Sequence, residues 1–188
     1  RARTQAAMDD YFAGEERGGY VLVGMGVAGL LAGGWLYRAG SPVARGAAYP
    51  LLGVGVLHLA AGVVIQVSSA RRVDKFTRQI DSDPAGFVRD ERVRMRGVAK
   101  QFTALEIAEV VLIAGGLGAA GFGWKTDRPR WQGAGLTLAL EAACTLGFDV
   151  LAARRAHDYR TALDGVSVSA TIDGGATSGA VIGYGGRF

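Results

Sequence analysis

Four long apolar stretches, each about the length that a bilayer's hydrocarbon core requires, dominate the chain. They run over residues 19–37, 47–70, 102–124 and 131–153, each bounded by charge or by aromatic residues. Tyr20, Trp35, Tyr37, Tyr49, Trp124 and Trp131 sit at their ends, where an interfacial aromatic belt falls. A soluble helical bundle would need a polar outer face on each helix, and these segments have none. The pattern therefore predicts an all-α, polytopic membrane four-helix bundle. Residues 1–18 form an N-terminal segment, 19–163 the four-span domain and 164–188 a separate tail.

Between spans two and three the pattern changes. Val73, Phe76 and Ile80 recur at helical spacing and predict one short amphipathic helix. "DSDP" then breaks it, with Ser82 or Asp83 as a cap and Pro84 in the next first turn. Phe87, Val88, Met95, Val98 and Phe102 lead on into span three, so the 71–101 connection is a helical extension outside the membrane. In the tail, Val166, Val168, Ala170 and Ile172 alternate with small polar residues, "DGG" reads as a turn and "GAVIGYG" as a return strand. A small C-terminal β-hairpin and a flexible tail are both compatible with this pattern.

Charge adds an orientation. Of the 21 Lys and Arg residues, 16 fall in the N-terminal segment, the 71–101 connection and the C-terminal region. The opposite loops hold Arg38, Arg45, Lys125, Arg128 and Arg130. This positive-inside bias predicts that both termini are cytoplasmic. The net charge of +4 then reports topology, and no nucleic-acid partner is expected. Arg71, Arg72, Arg92, Arg96, Arg154 and Arg155 are expected to face lipid headgroups at the cytoplasmic surface. The acidic flank Asp9, Asp10, Glu15 and Glu16 is unlike that of a cleavable signal, so the first span reads as a retained helix.

Glycine, at 30 residues, is too frequent for a soluble bundle and suits membrane helices that approach closely. Gly29 and Gly33, one turn apart in span one, are the expected packing face. The lone cysteine, Cys144, permits no intrachain disulfide.

The candidate chemistry is a set of polar residues at depth. His58 and Gln66 lie in span two, Glu106 and Glu109 in span three, and Thr137, Glu141, Thr145 and Asp149 at every fourth position of span four. Facing lipid, each would cost several kcal/mol, so His58, Gln66, Glu106, Glu109, Glu141, Thr145 and Asp149 are expected to turn inward as one cluster. A hydrogen-bonded polar core, a proton or cation route and a carboxylate metal site are three uses of such a cluster. The metal reading is weakest, because Glu106-x-x-Glu109 with His58 departs from the Glu-x-x-His pairs of bundled metal sites. No P-loop, Cys-x-x-Cys, His-Glu-x-x-His or nucleophile elbow occurs. Gly24-x-Gly26-x-x-Gly29 echoes a dinucleotide fingerprint, but it lies inside a span without a preceding strand. No catalytic residue, metal or cofactor is expected.

"AAYPLLGVGVLHLAAG", "DERVRMRGVAKQFTALEIAEVVLIAGG" and "WQGAGLTLALEAACTLGFDVLAARRAHDY" together resemble a loose group of four-span bacterial inner-membrane proteins. The likeness covers most of residues 47–159, with Glu91, Arg92, Met95, Phe102, Glu109 and Asp149 at the positions that recur in the group. It does not extend to the tail after Leu163. The resemblance implies a multi-pass protein of the bacterial inner membrane and brings no established activity. The expected function is a non-enzymatic interaction or assembly subunit that sits in the lipid bilayer as a homo-oligomer or bound to another membrane protein. A proton or cation channel using the intramembrane acids is the alternative, and an immunity or accessory protein of a toxin or secretion system a further one.

Overall fold

The computed structural model describes residues 2–170 and 180–184, with side chains over 4–165. Four helices carry nearly all of this: α1 (Ala2–Ala39), α2 (Pro42–Ser82), α3 (Pro84–Lys125) and α4 (Pro129–Asp164). All four are long and apolar enough to cross a membrane.

The breaks between them follow from local chemistry. Ser41 caps α2, its Oγ accepting from the Ala44 N–H at 3.1 Å, with Pro42 in the first turn. Gly40, at φ +84°, supplies the left-handed residue that the tight α1–α2 turn requires. Asp83 is the residue between α2 and α3. Its backbone N–H bonds the Gln79 carbonyl, and its Oδ1 accepts from the Gly86 N–H at 2.9 Å. Pro84 follows where a missing N–H costs nothing. Ser82 is still part of α2, its hydroxyl donating to the Arg78 carbonyl. No breaker interrupts residues 70–82, so the expected short amphipathic helix is a continuation of span two. Similarly, the N-terminal segment is a continuation of span one.

At 1.5 Å per residue the helices are about 54–63 Å long, roughly twice a hydrocarbon core of about 30 Å. The surplus gathers at one end, the end where α1 begins and α4 finishes. There a core of large side chains forms from Met8, Tyr11, Phe12, Ile80, Phe87, Val88, Met95, Ala156, Tyr159 and Leu163. Tyr11 stacks on Tyr159 with ring centroids 4.6 Å apart, and Phe76 meets both Phe12 and Phe87. We call this the terminal end.

In the apolar spans the packing is of another kind. Leu31, Trp35, Leu57, Val64, Ile107, Val111 and Leu140 are exposed, as side chains facing lipid are. Contact between helices runs through glycine. A Cβ on Gly26 would lie 2.6 Å from the Leu59 nitrogen, and one on Gly62 would lie 2.6 Å from the Gly19 carbonyl. Gly116 approaches the Gly135 carbonyl in the same way, joining α3 to α4. Gly46 and Gly133 bring α2 and α4 together near the turns. α1 thus packs chiefly on α2, α3 on α4, and the two hairpins meet mainly through α2 and α4.

After α4, backbone pairing joins β1 (Val166–Ala170) and β2 (Ala180–Tyr184) in antiparallel register, Val166 opposite Tyr184. Residues 171–179, including the expected "DGG" turn, lie outside the described residues, so no closed hairpin is described.

Candidate functional site: a cleft between the hairpins and the acids behind its wall

Because α1 binds α2 and α3 binds α4, the flank where α1 faces α3 is not closed by helix contact. A cleft of about 480 Å³ lies there. Gly18 and Leu22 of α1, Val54, Leu57, Ala61 and Ile65 of α2, Phe102, Leu105, Ala108 and Leu112 of α3, and Leu138, Ala142, Phe148 and Ala152 of α4 line it. The surface exposed in it is mostly apolar, although Glu15, His58, Glu109, Thr145, Asp149 and Arg155 also border it. From Val54 to Ile65 it extends about 17 Å along α2, a length and lining that suit an alkyl chain.

The polar residues of the spans fall into two groups. His58, Thr145, Glu109 and Asp149 come together at the back of the cleft. The His58 Nε2 lies 3.0 Å from the Thr145 hydroxyl, which itself donates to the Glu141 carbonyl at 2.9 Å. The carboxyls of Glu109 and Asp149 are partners, with Glu106 and His58 near enough to act on Asp149 electrostatically. Two carboxylates in contact repel unless a proton lies between them. Glu109 and His58 are each only 6% exposed, and the Glu109 Oε2 and His58 Nδ1 have no hydrogen-bond partner. Glu106 is half-buried at the edge of this group.

Gln66 and Glu141 stand apart from it. The Gln66 stem packs on Gly19 of α1, and the Glu141 side chain is half-buried outside the cleft. Spacing by four put Glu141 on the face of Thr145, but helices that cross turn such a stripe gradually out of the interface. Among the described residues, no group of three His, Cys, Asp or Glu side chains is arranged to hold a metal ion.

Gly29 and Gly33 both face α2: a Cβ at Gly29 would lie 3.2 Å from the Leu51 carbonyl, and one at Gly33 2.9 Å from the Leu52 side chain. The contact is within one chain. Of the six arginines expected at the lipid surface, Arg71, Arg96 and Arg154 are exposed and Arg72 half-buried. Arg92 and Arg155 turn inward instead. Arg92 donates to the Leu163 carbonyl at 2.6 Å and pairs with Asp164, satisfying the carbonyls that end α4. Arg155 donates to the Gly14 carbonyl at 3.0 Å across the α1–α4 contact.

The sequence pattern did not single out the charge centre of the terminal end. Glu91, 2% exposed, receives two hydrogen bonds from Arg94, at 2.7 and 2.6 Å. The Arg94 guanidinium lies 5.5–5.7 Å from the ring centroids of Tyr11, Phe12 and Phe76. Met8, Tyr11, Phe12 and Glu15, at i, i+3, i+4 and i+7, carried the signal for this face. Beside it, and sharing Tyr11, Glu15, Phe102 and Leu105 with the wall of the cleft, is a recess of about 310 Å³ that Arg72, Arg94 and Gln101 also line.

Four spanning helices packed through glycine make this a multi-pass helical membrane protein. Comparison with protein-family models, with curated proteins and with solved structures gives no match to this chain.

Proposed function

We propose that the chain is a non-enzymatic interaction subunit of a bacterial inner membrane, with both termini in the cytoplasm, that holds a lipophilic guest in the cleft between α1 and α3. The cleft carries this reading: it has the volume of a ligand site and a mostly apolar surface. Its elongated apolar form suits a chain-like molecule. Assembly with further copies or another membrane protein then uses the outer faces of the helices.

Conduction of protons or cations is the competing use of the acids. The buried Glu109–Asp149 pair favours it. Against it stands the turn end of the bundle, where Gly46 and Gly133 bring α2 and α4 into backbone contact and Gly123 meets the start of α4. That close backbone packing narrows any route from the acids to that side, so binding is the better reading.

Native mass spectrometry of the protein released from lipid nanodiscs tests the reading. One lipophilic adduct per chain is expected, and Ala108→Trp, which fills the cleft, should remove it. An unchanged adduct in Ala108→Trp would overturn the assignment.

A further inference from the structure

The geometry points to an anionic phospholipid as the guest, with one acyl chain in the cleft and its phosphate in the recess formed by Arg72, Arg94 and Gln101. This rests on the cleft being a binding site and adds the chemistry of what it binds.

Adjacency is the first argument. Cleft and recess share Tyr11, Glu15, Phe102 and Leu105 in their walls, so the two lie side by side. Their order along the bundle is that of an amphiphile. From Leu112 to Leu105 the α3 wall is apolar apart from the edge of Glu109, and the recess begins one to three turns nearer the terminal end, at Gln101, Gly97 and Arg94.

Charge is the second. Arg72 is half-buried on the recess wall, two residues past the end of span two, where a headgroup phosphate would lie. Arg94 is fixed in position by Glu91 and by three aromatic rings, and Gln101 offers an amide N–H₂. Glu15 is the acid on this wall. It is already held by the Tyr11 hydroxyl at 2.6 Å and the Ser69 hydroxyl at 2.7 Å, so its oxygens are turned to those donors. Exposed Arg71, Arg96 and Lys100 add positive charge at this end of the bundle. An anionic headgroup is attracted by such charge, and a zwitterionic one far less.

The acids do not argue for a cationic guest. Glu109 and His58 border the cleft at its back, but their unpartnered atoms have almost no exposed surface for a ligand to reach.

The test uses the full chain, delipidated in a neutral detergent and titrated with lipids of matched acyl chains, read by native mass spectrometry and by thermal shift. Phosphatidylglycerol should bind at least about five-fold tighter than phosphatidylcholine, and Arg72→Gln should reduce that preference by about five-fold, the factor expected for one well-placed basic side chain. Glycerol phosphate, which has the headgroup without the tail, should give no shift at the same concentrations. Binding of glycerol phosphate as tight as that of the lipid would make this a soluble-phosphate site and overturn the proposal. Equal binding of the two lipids, abolished by Ala108→Trp, would refute the headgroup assignment and leave the cleft as a site. Lipid binding that is the same in Ala108→Trp, Arg72→Gln and the parent would refute both.

Discussion

Replacing Arg94 by Met puts the terminal end under its most informative stress. Glu91 is 2% exposed and takes both of its short hydrogen bonds from Arg94. Met preserves most of the volume against Tyr11, Phe12 and Phe76 but leaves a carboxylate buried without a cation. Breaking a buried pair in this way costs about 3–5 kcal/mol. Loss of the guanidinium from the aromatic faces adds about 0.5–1 kcal/mol, since the Arg94 side chain is partly solvated at 22% exposure. The partner substitution separates the cost of the unpaired charge from the worth of the pair. In Glu91→Leu with Arg94→Met the charge is gone and the site is apolar, so the double variant should lie within about 1–2 kcal/mol of the parent. The assay is reversible unfolding in mixed micelles, by denaturing-detergent titration, of the parent, both single variants and the double variant. A coupling energy above about 2 kcal/mol is expected. If Arg94→Met lost less than about 1 kcal/mol, or if the double variant were as unstable as Arg94→Met, the pair would not be the buried centre that its geometry makes it.

Four further outcomes are expected. Gly26→Leu should lower stability in detergent well below Gly24→Leu, because a Cβ at Gly26 meets the α2 backbone while one at Gly24 meets nothing within 4 Å; equal melting temperatures would contradict glycine-mediated packing. In a Cys144→Ala background, cysteines placed at Ser41 and Asp127 should react with impermeant reagent added outside intact cells, and reaction at Ser82 instead would reverse the proposed orientation. Glu109→Gln should cost little stability and Glu109→Leu about 1–3 kcal/mol, because the amide keeps a hydrogen bond to Asp149 and the alkyl group does not. Proteoliposomes of the parent should show no proton or cation flux, and flux that Glu109→Gln abolishes would restore the conduction reading.

Those expectations draw on what the sequence shows best. Four long apolar helices and the Pro84 break follow from hydrophobic runs, caps and prolines, all local in the chain. The glycine contacts were legible as a kind of packing but not as partners: Gly29 could have met a second copy as well as Leu51. The polar cluster shows where depth stops being enough. Each residue's height follows from the rise per residue, yet whether Glu141 joins Asp149 depends on how α4 rotates against α2, which no local pattern records. Arg92 and Arg155 were misplaced for a similar reason. Positive-inside counting assigns every basic residue to the surface, while helix ends also need donors, and Arg92 supplies them to the carbonyls of Leu163 and Asp164.

The cleft is invisible to sequence because it arises where two packing regimes meet. In the spans no hydrophobic force drives helices together, so contact depends on small residues, and α1 turns Gly19, Gly26 and Gly29 toward α2. α3 turns Gly116 and Gly123 toward α4. Each helix has then used its small face, and what α1 and α3 present to one another is Leu22, Phe102, Leu105 and Leu112, too bulky for backbone approach. At the terminal end water does drive burial, and Tyr11, Phe12, Phe76 and Phe87 fill the same gap with rings. These rings and the stacked Arg94 hold α1 and α3 at a spacing that the narrower side chains above them cannot span. Trimming the wedge should therefore narrow the cleft from below: Phe12→Ala ought to weaken guest binding although Phe12 does not touch the guest. Binding left intact in a folded Phe12→Ala protein would show that the spacing is set within the spans instead.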